Sequence, residues 1–288
     1  MSAKTIAFYV DLNHPEARRV AQDAVNAARE AGYRVALCEG QNDVLGLADA
    51  NAEVESADLL VTIGGDGTLL RGARIAYPHD IPLLGINTGR LGFLTEVELD
   101  GAAKTRGDLT RLLSQKVQIE ERAALQARLD DGRAFIALND VVVHKGETSQ
   151  IVTFCLELDG DHVANIPADG IVVATATGST AYFLSAGGPI ISPRVDAFGI
   201  GALLPHTLFA RPLIVPTSST IEVTVDSESF HANLEADGET VAHLEPAQRV
   251  TIRRAPKTVR FARGGPLNYF SRLEQKLRWG VSMRGTSR

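Results

Sequence analysis

The first third of the chain alternates between two hydrophobic periods. Residues 5–10 form a nearly unbroken apolar run, the pattern of a strand buried on both faces. Pro15 then stands where a first helical turn accepts it, and Val20, Ala24, Ala27, Ala28 and Ala31 recur along one stripe. Gly32 ends that helix, and residues 33–38 read as a second strand. An alanine- and acid-rich stretch, 47–57, has the composition of another helix. Residues 59–63 predict a third strand, 69–76 a short helix and 81–86 a fourth strand. Strand–helix alternation with short connections implies a Rossmann-like parallel sheet with helices packed on it.

From about Val117 the pattern changes to short β-rich segments separated by turn signals. Asp-Gly pairs at 131–132, 159–160 and 237–238 sit between alternating runs, a strong short-range hairpin signal. Residues 220–225 and 248–254 have strand period and strand composition. This half predicts an antiparallel, β-sandwich-like domain. Residues 269–279 return to helical spacing, and the expectation is that they pack back on the first domain. The predicted division is an α/β domain over 1–100 joined by 266–288, and a β-rich domain over 101–265.

The chain is 288 residues long, beyond the roughly 100–200 of a usual single domain, which agrees with two units. Its 44% hydrophobic and 22% charged residues exclude a disordered or collagen-like chain. A net charge of −6 argues against general nucleic-acid binding. The basic residues Arg253, Arg254, Lys257, Arg260 and Arg263 have few interleaved aromatics and read as a solvated strand face. Two cysteines, Cys38 and Cys155, form neither a disulfide framework nor a zinc cluster and fit a reducing compartment. With no signal-peptide core and no bilayer-length apolar run, the expectation is a cytoplasmic protein without membrane association.

The strongest chemical feature is the turn Gly64-Gly65-Asp66-Gly67-Thr68, which follows a buried strand and precedes a helix. Backbone N–H groups at such a helix start, with no side chains in the way, suit a phosphate. Asp66 sits at the carboxyl end of a strand, where open α/β sheets bind ligands, and can accept a proton from a hydroxyl. Taken alone, the bland reading is an aspartate that caps its own helix. The segment is neither a P-loop nor a G-x-G-x-x-G fingerprint, because Leu70 occupies the last glycine position. Two further segments suit nucleotides. Asn139 and Asp140 place an amide beside a carboxylate, apt for adenine edges and ribose diols, although a β-turn explains them equally well alone. Residues 177–182 gather hydroxyls on a small-residue backbone; the bland alternative there is Ser179 or Thr180 capping the helix that holds Leu184. No G-x-S-x-G surrounds any serine, and the seven histidines lack metal-ligand spacing, so hydrolase and metal-site readings fall away.

Residues 64–68 resemble the turn shared by NAD kinases, diacylglycerol-type lipid kinases and, more distantly, 6-phosphofructokinases. Residues 87–96, 139–140, 169–190 and 205–213 narrow the resemblance, and together, in this order, they resemble the NAD kinase family over most of the chain. That resemblance implies phosphorylation of the adenosine-ribose 2′-hydroxyl of NAD, with ATP or polyphosphate as donor and Mg²⁺ carried on the nucleotide. Asp66 would be the general base, with Gly67 and Arg71 lining the same site and Gly64, Gly65, Gly67 and Thr68 facing the donor phosphates. Phe93 would lie near the adenine. Asn139 and Asp140 would bind the nucleoside, and Asp169 the nicotinamide end, from the same or a neighbouring subunit. Thr177, Thr180, Ala181, Tyr182 and Ser185 would line the dinucleotide cleft. The chain departs from the family pattern at Ala176, usually proline, at Glu239, often glutamine, and at Gln150, histidine in some members. The last two bear on peripheral NAD contacts. The resemblance also implies a homodimer or homotetramer. A lipid kinase would need a membrane-facing apolar or basic element, and none is evident; a non-catalytic dinucleotide sensor would bind NAD without making NADP.

Overall fold

Strand Thr5–Val10 is buried along nearly its whole length because it runs between two parallel neighbours, Arg34–Leu37 and Leu59–Gly64. The computed structural model describes residues 4–38, 40–41, 45, 53–89, 92–95, 97–98, 118–225, 231–264 and 269–278. Leu83–Asn87 pairs in parallel with Leu59–Gly64, Val259–Arg263 follows in parallel, and Gln118–Arg122 lies beyond it. Val97–Glu98 also pairs with Leu83–Asn87. The helix Pro15–Glu30 carries its proline in the first turn and buries Ala17, Val20, Ala21, Ala24 and Ala28 against Ile6, Phe8 and Val10. Small residues on that stripe let helix and sheet approach closely, so the apolar area leaves water with little side-chain ordering.

Two compact units emerge. One comprises 1–121 with 260–288, the other 122–259. These bounds differ from divisions after residues 100 and 265, because strands Gln118–Arg122 and Val259–Arg263 are part of the parallel sheet. The helix Tyr269–Leu277 belongs to the first unit, burying Leu273 and directing Arg272 onto backbone of residues 92–95. Trp279 lies outside the described residues.

The second unit is a sandwich of two six-stranded antiparallel sheets. One runs in the order Asp161–Ala168, Val152–Leu158, Ile221–Val225, Arg249–Arg254, Leu125–Leu129, Ala134–Ala137. The other runs Leu213–Pro216, Ala197–Leu203, Gly170–Thr175, Asp140–Lys145, Ala232–Ala236, Glu239–Leu244. Period-2 alternation aims Phe154, Leu156 and Ile252 from the first sheet at Val143, Val173, Phe198 and Leu234 from the second. Each such buried side chain contributes about 1.5–3 kcal/mol relative to exposure. The Asp-Gly pairs at 159–160 and 237–238 form two-residue hairpin loops with both residues at positive φ.

The second sheet is apolar on its outer face as well. Phe183, on the helical turn Tyr182–Ser185, packs there with Val142, Val172, Ala174, Ile191 and Leu203. Its ring lies so close to strand Ala197–Leu203 that a Cβ on Gly199 would overlap it. The helix expected over 69–76 begins three residues earlier, at Asp66. Of the helix expected over 47–57, residues 47–52 lie outside the described residues, and Val54–Ser56 is a single 3₁₀ turn.

Replacing Phe183 by alanine should leave a cavity under the outer face and destabilise the protein by about 3–5 kcal/mol, measured by urea denaturation.

Candidate active site

In the first unit, the strand Leu59–Gly64 delivers the chain to Gly65, and the helix starts at Asp66. The Asp66 carboxylate does not cap that helix, whose N-cap is Gly65 without a side-chain bond. Instead Oδ2 accepts the backbone N–H of Phe93 at 2.8 Å, and Oδ1 accepts that of Leu94 at 3.3 Å. This replaces the bland reading of Asp66 with an outward use of its charge. Gly92 is buried against the carboxylate, and a Cβ there would overlap both Asp66 and the Thr95 hydroxyl. Gly64 meets the Thr68 side chain in the same way. Gly65 and Gly67 have neither a crowding neighbour nor a left-handed backbone. Their missing side chains leave the first helical turn open, with its N–H groups unused by the helix itself. Arg71 is exposed on the outer side of that helix, and the Phe93 ring lies 5.1 Å from the Lys276 ammonium.

In the second unit, the chain crosses from one sheet to the other at Leu138 and Asn139. The carboxylate of Asp237 clamps this crossing. It accepts the N–H groups of Leu138 at 2.9 Å, Asn139 at 2.6 Å and Asp140 at 3.2 Å. The Asn139 carbonyl accepts the N–H of Thr175 at 2.8 Å, and the Thr175 hydroxyl donates to the Leu138 carbonyl at 2.6 Å. Asn139-Asp140 is therefore a pinned sheet crossing rather than a hairpin turn. Asp140 opens the next strand and is 4% exposed. Burial, followed by the nearby charges of Asp237 and Glu235, pushes its carboxyl up from about 3.8 to about 7.

The hydroxyl-rich segment 177–185 is held by its own backbone. The Ser179 hydroxyl donates to the Ala176 carbonyl and accepts the Ile191 N–H, so it is not a helix cap; Thr180 donates to the Thr177 carbonyl. The Thr177 hydroxyl accepts from buried Arg122 at 3.2 Å. Beside this segment opens a cleft of about 790 Å³, lined by His144, Lys145, Asp169, Tyr182, Ser185, Leu203, Leu204 and Glu235 among others. Lys145 Nζ pairs with Asp169 at 2.7 Å, and His144 Nε2 meets Glu235 at 3.0 Å. Apolar walls with a few convergent charges are the usual make-up of a small-molecule site.

Of the residues singled out from sequence, Asp66, Gly64, Gly65, Gly67, Thr68 and Phe93 meet in the first unit. Asp169, Tyr182 and Ser185 line the cleft of the second. Asn139, Asp140, Thr177, Thr180, Ala181 and Glu239 do not line it; the first two adjoin the Asp237 clamp, and half-buried Glu239 opens the strand that follows it. Sequence reasoning passed over His144, Lys145, Glu235 and Asp237. The first two carried a signal, since polar residues end an otherwise apolar strand. Asp237 carried none beyond its turn. Of the basic cluster, Arg254 pairs with Asp196, Arg260 with Asp80, and buried Arg263 with Glu120.

A parallel α/β sheet that ends on a glycine-flanked carboxylate, in a chain with a β-sandwich bearing a polar-tipped cleft, suits the binding of a nucleotide. Family models described as ATP-NAD kinase N-terminal domain and ATP-NAD kinase C-terminal domain match residues 8–117 and 138–264. The chain is 37% identical over 283 residues to an NAD kinase of Moorella thermoacetica, covering 96% of this chain and 90% of that one. It is also 37% identical over 290 residues to an NAD kinase of Syntrophotalea carbinolica, covering 96% and 99%. A crystal structure of yeast NADH kinase complexed with NADH shares the fold, with a TM-score of 0.86 at 24% identity, covering 100% of this chain and 91% of that one. The structure of an Archaeoglobus fulgidus NAD kinase in complex with ATP gives a TM-score of 0.72 at 26% identity, covering 96% and 99%. The chain belongs to the NAD kinase family, and its activity is that of an NAD kinase.

Because the folded protein holds the Asp140 proton more tightly than the unfolded chain does, this group favours the fold below about pH 4 and loses that contribution as pH rises through about 7. Asp140→Asn should therefore gain stability relative to wild type as pH rises from 4 to 8, measured by chemical denaturation across that range.

Proposed function

We propose that the enzyme transfers the terminal phosphoryl group of ATP to the 2′-hydroxyl of the adenosine ribose of NAD, with Asp66 as general base. The observation that carries this reading is the Asp66 carboxylate, fixed at the end of a buried strand by two peptide N–H groups. The carboxylate takes the hydroxyl proton as the oxygen attacks the terminal phosphorus. The bond to the leaving diphosphate breaks with its electron pair, giving NADP and ADP. Little covalent chemistry falls to the protein in such a transfer; positioning and charge stabilisation do the catalysis.

The open first turn at Gly65–Gly67 supports donor-phosphate binding, because nothing but backbone faces the incoming anion. ATP in the Archaeoglobus relative supports ATP as donor. A divalent cation belongs to the donor as substrate, where it offsets phosphate charge. For the dinucleotide, the cleft with Asp169, Tyr182 and Ser185 supplies apolar walls and hydrogen-bonding tips, and NADH bound to the yeast neighbour agrees with such a ligand class. Asn139, whose N–H is held by Asp237, is half-buried and offers a rigid polar side chain to the nucleoside, with buried Asp140 behind it.

We also infer self-association as a dimer or tetramer. Leu204, Leu208, Phe209, Leu213 and Ile214 expose apolar side chains next to or on the edge strand Leu213–Pro216, a surface that a second copy would remove from water. A cytoplasmic location is supported by Cys38 and Cys155, neither of which is in a disulfide. Among the described residues, no helix is long and apolar enough to cross a membrane.

Asp66→Asn keeps only one of the two acceptor oxygens, so it should fold with a lowered melting temperature and reduce NADP formation by about 10²–10⁴-fold, the usual contribution of a general base. Near-normal turnover would remove Asp66 from the role. Phe209→Glu should shift the protein toward monomer by light scattering; unchanged mass would exclude this surface as the contact.

A further inference from the structure

The loop that holds Asp66 is itself held from behind. From the helix Tyr269–Leu277, Arg272 Nη1 donates to the Phe93 carbonyl at 3.1 Å and the Gly92 carbonyl at 3.5 Å, and also to the Thr95 carbonyl. The N–H of Phe93 belongs to the same peptide group as the Gly92 carbonyl. The N–H of Leu94 likewise shares a peptide group with the Phe93 carbonyl. The two peptide groups that Arg272 grips by oxygen are thus the two that grip Asp66 by nitrogen. One turn later on that helix, Lys276 lies over the Phe93 ring. Buried Arg263 takes the next carbonyl, that of Leu94, at 2.9 Å.

We infer that Arg272 is a positioning residue for Asp66, acting through the Gly92–Phe93 and Phe93–Leu94 peptide groups. The reasoning is electrostatic and geometric. A guanidinium at the oxygen end of a peptide polarises it, so the N–H at the other end becomes a stronger donor. Arginine stays protonated, so this polarisation is constant across the working pH range. Each peptide group also has two fixed points, one on the cation and one on the carboxylate, and cannot rotate without breaking one of them. Gly92, with no Cβ, allows the loop to lie against Asp66 while its carbonyl faces the other way. The C-terminal helix thereby supplies the orientation of a carboxylate some 200 residues earlier in the chain.

The inference rests on the reading of Asp66 as the base, and the experiment separates the two. Arg272→Met should lower kcat by about tenfold to hundredfold, as a misaimed reacting group does, and leave KM for NAD within about threefold. All three contacts come from one nitrogen, so Arg272→Lys, with three donors on one ammonium, should recover part of the loss. In an Asp66→Asn background, Arg272→Met should have no further effect on kcat, because two residues acting as a unit are not additive. An equal loss in both backgrounds, or wild-type kcat in Arg272→Met beside an inactive Asp66→Asn, would overturn the relay. If Asp66→Asn instead keeps its turnover, the reading of Asp66 fails, and amide hydrogen exchange decides the relay separately. Faster exchange at Phe93 and Leu94 in Arg272→Met, slowed again in Arg272→Lys, supports it; unchanged exchange overturns it.

Discussion

A carboxylate fastened by two peptide N–H groups is the contact that ties the first unit's glycine turn to its 92–95 loop. Asp66 reaches it because a strand buried on both faces ends at Gly64 and the chain then turns straight into a helix. Left to itself, an aspartate at such a place would bend back onto the N–H groups of its own helix. The 92–95 loop competes successfully because its amides are close, at 2.8 and 3.3 Å, and Gly92 adds no side-chain bulk. The loop in turn is tied by arginines that enter the unit from the last strand and the last helix.

The second unit separates stability from recognition by face. Between the sheets, apolar side chains such as Phe154, Phe198, Val173 and Ile252 pack into one core. The outer side of the Asp140–Lys145 and Gly170–Thr175 strands carries the Phe183 cluster and, beside it, the cleft. Polar groups concentrate where the chain changes sheets, and they are compensated there. Asp237 satisfies three consecutive backbone donors at that crossing, so a kink in the chain becomes a rigid edge. Burial, with the charges of Asp237 and Glu235, holds the Asp140 proton into the neutral range. A negative cluster of this kind lowers stability as pH rises through about 7.

Much was legible in residue order. The switch from mixed strand–helix period to dense short strands, the Pro15 helix start, and the Asp-Gly hairpins all depend on neighbours a few positions apart, where local sterics and hydrophobic period decide the outcome. The glycine-flanked Asp66 and the 169–190 segment stood out for the same reason, since each is a run of contiguous residues. The sheet membership of Gln118–Arg122 and Val259–Arg263 was not legible, because strand pairing across more than a hundred residues settled it; nor was the helix start at Asp66 rather than residue 69.

What the sequence alone determined is therefore the class of chain, its two kinds of unit, and the contiguous segments in which a carboxylate and hydroxyls gather. Tertiary structure decided what those groups do with their lone pairs and protons. Asp66 could have capped its helix, Asp237 could have served only its turn, and Lys145 and Arg272 could have been solvated charges. Each outcome rests on a partner 24 or more residues away, such as Asp169 for Lys145 and the Phe93 carbonyl for Arg272. No local pattern encodes such partners, because a charge is equally stable in water until the fold removes the water and offers a specific mate.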